Sequence, residues 1–238
     1  MIIYGINPVL EALRAGRVKA LRVGERADDR LTQLLALAGE RGVRVTRVPA
    51  DVLERESRRG VHQGVVADLS ASKDYSVDEL IRGAAGAPFV VVLDGIEDPH
   101  NLGAILRTAD AAGVDGVVVQ SRRAAARGGA AAKASAGAVA HVKVAEVVNI
   151  ARAIEELKAA GVWTIGLAGE ASDSYEAIDF TLPTAVVLGA EGPGLRRLVR
   201  ERCDRLVSIP MRGHVGSLNV SVAAGVVLFE AVRQRLKR

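Results

Sequence analysis

The period of the apolar positions changes several times along the chain, and each change marks a predicted element. Pro8 to Arg14 reads as a short helix and Leu21 to Val23 as a strand. Leu31, Leu34, Leu35 and Ala38 then recur at helical spacing, Gly42 ends that helix, and Val43, Val45 and Val48 begin another strand. Val61 to Leu69, which contains His62-Gln63-Gly64, reads as the last strand of this region. The polar stretch SASKDYSVDELIRGAAGAP that follows has the composition of a linker carrying one short helix.

From Phe89 the pattern is different. FVVVLDG is a continuous apolar run, as expected of a strand buried on both faces of a parallel sheet. Asn101 to Ala112 is helical and closed by Gly113, and Gly116 to Gln120 is the next strand, so GIEDPHN is the strand-to-helix loop of a βαβ unit. The alternation continues with a helix near Ile150 to Ala160, strands Trp163 to Leu167 and Ala185 to Leu188, a helix Leu195 to Glu201, a strand Leu206 to Ile209 and a helix Leu218 to Gln234. The expected class is α/β, with a small unit over residues 1–70, a linker over 71–87 and a mostly parallel α/β domain over 88–238. A chain of 238 residues, 49% of them hydrophobic, can bury a core in each.

Ligands of open parallel sheets bind at the carboxyl ends of the strands. Three loops of unusual composition fall there: Asp94–Asn101, Gly189–Gly194 and Pro210–Ser217. In the first, Asn101 can cap the following helix. Asn101, Gly103 and Arg107 fall on related helical positions, which makes Arg107 a fixed cation near the loop. In the second, glycines flank Glu191 and permit close backbone approach to a ligand, although the acid alone could simply complement a helix dipole. That loop, Leu188-Gly-Ala-Glu-Gly-Pro-Gly194, carries neither the Gly-Lys-Ser/Thr of a phosphate loop nor a G-x-G-x-x-G fingerprint. In the third, Ile209, Met211 and Leu218 can form an apolar slot for a planar ring, Ser217 can cap the last helix, and Asn219 then lies in its first turn.

Composition narrows the chemistry. The single cysteine, Cys203, excludes an intrachain disulfide framework and a cysteine-rich zinc site, and four scattered histidines show no metal-ligand spacing, so no metal is expected. No apolar run reaches membrane-spanning length and no leader-like segment opens the chain, which points to a soluble, cytoplasmic protein without a membrane partner. There is no G-x-S-x-G elbow and no H-E-x-x-H; His100 and His214 lie in two of the loops without an assigned role. A net charge of +4 permits a nucleic-acid partner. Between Asp115 and Glu146 there is no acidic residue, while Arg122, Arg123, Arg127, Lys133 and Lys143 all fall there: either a solvated basic loop or a phosphate-binding strip. At 3% aromatic residues, an aromatic base-stacking platform is not expected.

The three loops, in this order, resemble the three motifs of the SpoU (TrmH-like) RNA ribose 2′-O-methyltransferases of the SPOUT superfamily. The matching stretches are N101-L-G-A-I-L-R-T-A109, L188-G-A-E-G-P-G194, and I209-P-M with S217-L-N-V-S-V-A-A-G225; K133-A-S-A-G-A138 is also similar to a family segment. The N-terminal region, with Y4-G-I-N-P8 and H62-Q-G-V-V-A67, is similar to the family's small L30e-like substrate-binding domain. The two-domain layout most resembles the branch that methylates a guanosine in large-subunit ribosomal RNA.

The resemblance implies S-adenosylmethionine as methyl donor, a homodimer, an RNA substrate and a deep C-terminal trefoil knot, a topology no pattern reading would propose. It implies that Arg107, Asn101, Glu191, Ser217 and Asn219 serve catalysis. The donor pocket would be lined by Leu188, Gly189, Glu191, Gly192, Ile209, Met211, Ser217, Leu218 and Asn219. RNA would be met by Arg58, Arg59, Arg107, Arg122, Arg123, Arg127 and Lys133. A guanidinium is a poor base, so Arg107 is read as a clamp on the target phosphate that stabilises the forming alkoxide. Transfer RNA, a resistance-type ribosomal site, and a non-catalytic RNA-binding protein are the alternatives.

Overall fold

The computed structural model describes residues 2–24, 29–57, 59–70, 74–121 and 142–237. The basic positions Arg58, Arg122, Arg123, Arg127 and Lys133, and the K133-A-S-A-G-A138 segment, lie outside the described residues. The rest falls into two compact units that meet in sequence between residues 70 and 74.

The first unit holds strands β1 (Ile2–Tyr4), β2 (Val18–Val23), β3 (Arg44–Arg47) and β4 (Val65–Leu69), with helices α1 (Ile6–Arg14), α2 (Asp29–Glu40) and α3 (Ala50–Glu56). The sheet order is β1-β4-β2-β3; β4 runs antiparallel to both neighbours and β3 parallel to β2. Val9, Ala12 and Leu13 of α1 and Leu34 and Ala38 of α2 pack on Leu21, Val23, Val65 and Ala67 of the sheet. On β2 and β4, Arg22 bonds both oxygens of Asp68 at 2.6 and 2.9 Å and also pairs with Glu56. Those carboxylates, Asp68 first, hold the guanidinium above its ordinary pKa.

Two expectations for this unit change. The strand expected from Val61 starts at Val65, because Gln63 and Gly64 adopt left-handed backbone with φ of 50° and 80° and turn the chain. That turn aims Gln63 Oε1 at the backbone N–H of Ile6, 3.0 Å away, which satisfies an otherwise orphaned donor at the start of α1. Helix α3, with Leu53 as its one fully buried residue, was not foreseen.

The second unit holds α4 (Val77–Arg82), β5 (Phe89–Asp94), α5 (Pro99–Ala111), β6 (Gly116–Gln120), β7 (Val144–Val147), α6 (Ile150–Ala159), β8 (Trp163–Leu167), β9 (Thr184–Gly189), α7 (Arg197–Arg202), β10 (Arg205–Val207) and α8 (Val220–Arg235). Its sheet has the order β10-β8-β9-β5-β6-β7, and every pairing is parallel. Val90 and Val92 of β5 face α4, α6 and α7 in one cluster that includes Leu80, Ile154 and Val199. The alternate positions face α5 and α8, which pack on each other and on the sheet. Successive strands from β5 lead outward to β7; β8 then begins on the opposite side, so the direction of winding switches between β5 and β9. Part of the expected linker is built into this unit: Val77 and Leu80 of α4 are buried in the core, and Ser76 and Glu79 form a capping box.

Candidate active site

The switch between β5 and β9 fixes the site. Asp94, the last residue of β5, is paired in register with Gly189, the last of β9. The Asp94 side chain is fully buried and accepts from the backbone N–H of Arg196 at 2.8 Å and from its Nε at 2.6 Å. That anchor draws Leu195 and Arg196 into the loop, so the helix expected from Leu195 starts at Arg197. The loop itself is closed by reciprocal backbone bonds between Ala190 and Gly194, at 3.1 and 2.9 Å. A side chain on Gly189 would overlap the backbone of Gly194 and Leu195, so glycine is required there. Gly192 has φ of 82° and supplies the left-handed turn.

Two caps differ from the expectation. Asp98, not Asn101, caps α5, with its carboxylate accepting from the N–H groups of His100 and Asn101 at 3.3 and 3.1 Å. Asn219, not Ser217, caps α8; its Oδ1 accepts from the N–H of Ser221 at 2.9 Å and of Val222 at 3.4 Å. These shifts free Asn101 to point inward. Its side chain is buried beside the Asn219 amide, which donates to Asn101 Oδ1 at 2.9 Å and to Glu191 Oε1 at 2.5 Å. One amide thus ties together α5, the loop after β9 and the start of α8.

A pocket of about 670 Å³ opens beside this cluster, within the range of small-molecule sites. Leu188, Gly189, Glu191 and Gly192 line it from β9 and its loop; Ile209, Met211, Ser217, Leu218 and Asn219 line it from the segment between β10 and α8. The loop after β8, with Gly169 and Glu170, and Arg200 of α7 also contribute, and neither was singled out from the sequence. Ser217 is exposed. Arg107 does not share the face of Asn101: six residues along a helix amount to about 240°. Asn101 and Ile105 turn inward, whereas Arg107 is exposed and has no hydrogen-bond partner among the described residues. His100 and His214 are also exposed. Arg59, in the first unit, is exposed at a left-handed φ of 62°. Burial pushes the Cys203 thiol up to about 12, which removes it as a nucleophile at neutral pH.

Residues 88–229 match the SpoU rRNA methylase family, and residues 2–75 match the RNA 2′-O ribose methyltransferase substrate-binding family. The chain belongs to the SpoU rRNA methylase family. Among SpoU relatives, the 23S rRNA (guanosine-2′-O-)-methyltransferase RlmB of Pseudomonas syringae pv. tomato is 48% identical over 98% of this chain and 95% of its own. RlmB of Pseudomonas aeruginosa is 45% identical over 98% and 96%. The crystal structure of the SpoU methyltransferase AviRb from Streptomyces viridochromogenes in complex with AdoMet superposes with a TM-score of 0.81 at 26% identity, covering 100% of this chain and 91% of that one. The AdoMet-bound rRNA methyltransferase of Sinorhizobium meliloti superposes at 0.77 and 29% identity, covering 98% and 86%.

Proposed function

We propose that this SpoU methylase transfers a methyl group from S-adenosylmethionine to the ribose 2′-hydroxyl of a guanosine in 23S ribosomal RNA. The observation that carries the reading is the meeting of Asn101, Glu191 and Asn219 at the mouth of the pocket, in a chain 48% identical to RlmB of Pseudomonas syringae along nearly its full length. Acting on ribosomal RNA would place the enzyme in the cytoplasm.

The pocket fits the donor: its volume suits a nucleoside-sized ligand, and its wall at Gly189 has no room for a side chain. Leu188, Ile209, Met211 and Leu218 supply the apolar slot, and the Gly189–Gly194 loop presents backbone groups. When bound, S-adenosylmethionine supplies an activated methyl group. The chain's part is alignment and proton removal. Asn219 fixes Glu191 against the pocket, and its acceptor oxygen is committed to the helix cap. Ser217, exposed at the same mouth, is left to meet the ribose. Arg107 is exposed and has no hydrogen-bond partner among the described residues; it clamps the target phosphate and stabilises the developing alkoxide, and the proton leaves through that phosphate or water.

The first unit, with Arg59 on its surface, docks the RNA; Arg58, Arg122, Arg123, Arg127 and Lys133 extend the basic set in sequence. A homodimer is supported by α8: Val222, Val226 and Phe229 form an apolar stripe, and Val222 and Phe229 are 51% and 49% exposed. The deciding experiment is methyl transfer from labelled donor to separated 23S ribosomal RNA and transfer RNA, followed by mapping of the modified ribose. Label on a 23S guanosine 2′-oxygen is the expected result; label on transfer RNA, or none, rejects the assignment.

A further inference from the structure

Among the described residues that line the pocket, Arg200 is the one cationic side chain. It reaches the wall from α7, and there it pairs with the carboxylate of Glu170, from the loop after β8. None of the pair's hydrogen bonds is shared with the cluster of Asn101, Glu191 and Asn219. Its side chains are 42% and 59% exposed, so an ion pair there adds little to the stability of the fold. What the pair does provide is one positive and one negative group side by side; the other acid of the lining, Glu191, is engaged by the Asn219 amide.

The donor pocket must hold a molecule with a matching end. An α-amino acid carries a carboxylate and an ammonium on one carbon, and Arg200 is the only lining cation among the described residues available to the carboxylate. We propose that Arg200 and Glu170 form the amino-acid subsite of the donor pocket: the guanidinium takes the ligand carboxylate and Glu170 takes its ammonium. Each side chain exchanges its present partner for a ligand charge, and both are exposed enough to do so without a large desolvation cost. The inference rests on the reading of this pocket as the donor site. It makes the two residues determinants of affinity for the amino-acid end, and leaves recognition of the nucleoside to the apolar slot and the Gly189–Gly194 loop.

Calorimetric titration of the full chain with two probes tests it. S-adenosylhomocysteine carries the amino-acid end; 5′-methylthioadenosine has the same nucleoside and lacks it. The wild type should bind both, the first more tightly. Arg200→Ala should weaken S-adenosylhomocysteine by about tenfold or more and leave methylthioadenosine within about twofold. Glu170→Gln should act in the same direction, and Arg200→Lys should restore part of the loss. Equal weakening of both probes would mean that the pair merely shapes the wall, and unchanged binding of S-adenosylhomocysteine would mean that it is idle; either overturns the subsite. A wild-type chain that binds neither probe overturns the donor-pocket reading itself, and the subsite with it.

Discussion

The side-chain amide of Asn219 donates to Asn101, 118 residues earlier in the chain, while its oxygen caps α8. One residue therefore carries a structural task and a site task on opposite ends of its amide, and the two can be separated. Asn219→Asp keeps the acceptor that caps the helix, loses the donor and sets a second carboxylate against Glu191. Its thermal midpoint should stay within a few degrees of wild type while turnover falls by roughly 100-fold. Asn219→Ala removes the cap as well and should cost about 1 kcal/mol of stability on top of a similar loss of turnover. Parallel melting curves and methyl-transfer rates check both variants; equal melting losses in the two would show that the amide donor is structural.

Asp94 and Arg196 make a different case, because there the carboxylate is fully buried. Arg196→Ala leaves that charge without its guanidinium and should destabilise by about 3–5 kcal/mol, read as a lower denaturant midpoint. Asp94→Asn in the Arg196→Ala background should recover much of the loss, since an amide needs no counter-ion while its oxygen still accepts the 2.8 Å bond from the residue 196 N–H. A double variant no more stable than Arg196→Ala would show that the buried charge is not the cause.

These two contacts also mark where reading the chain stops. The strands Phe89–Asp94, Gly116–Gln120 and Trp163–Leu167 coincide with their apolar runs because strands whose central residues are buried on both faces need little else from sequence. The three ligand loops were legible because glycine, proline and asparagine crowd the ends of those strands. Caps were harder. Asp98 and Asn101, or Ser217 and Asn219, are all competent capping residues, and only the packed helix decides which side chain turns back on its own backbone and which is released to the site. Helix α3 gave no signal because seven residues with one buried leucine show no periodicity. Asp94 with Arg196, and Glu170 with Arg200, are 102 and 30 residues apart and follow from topology rather than spacing.

Gly189 offers a steric test. Gly189→Ala puts a methyl group into the backbone of Gly194 and Leu195 and should open the loop that forms one wall of the pocket. S-adenosylhomocysteine binding should fall below detection. Gly192→Ala meets open space and pays only for φ of 82°, about 1–2 kcal/mol, so its binding should persist. Retained binding in Gly189→Ala would show that the loop does not form the wall.

The last turn of α8 sets an acid limit. The hydrogen bond from Arg233, aided by Gln234, holds the Glu230 carboxyl at about 2, against an ordinary value of 4.5. Because the folded value is the lower one, this contribution is present in full above about 4.5 and is lost as the pH falls towards 2. Gln234 also bonds Phe180 and Ile178, so the acid step should loosen the 178–182 segment along with the helix end. Glu230→Gln should flatten the stability-against-pH curve between those values; an unchanged slope by denaturant titration rejects the assignment.

Arg107 is the sharpest test of the proposed chemistry, because it is exposed and no hydrogen bond among the described residues is lost with it. Arg107→Lys keeps the charge and loses the planar two-point fork. If the guanidinium clamps a phosphate and stabilises the alkoxide, turnover should drop by roughly 10- to 100-fold, with the melting temperature and S-adenosylhomocysteine affinity unchanged. Arg107→Ala should lower turnover further and weaken RNA binding at low salt, since a phosphate contact is lost. Near-normal turnover in Arg107→Lys with unaltered RNA affinity would show that charge alone suffices and would remove the fork from the mechanism. A rise in the turnover of Arg107→Lys at high pH, where a lysine can lose its proton and the arginine cannot, would instead favour proton abstraction at this position over clamping.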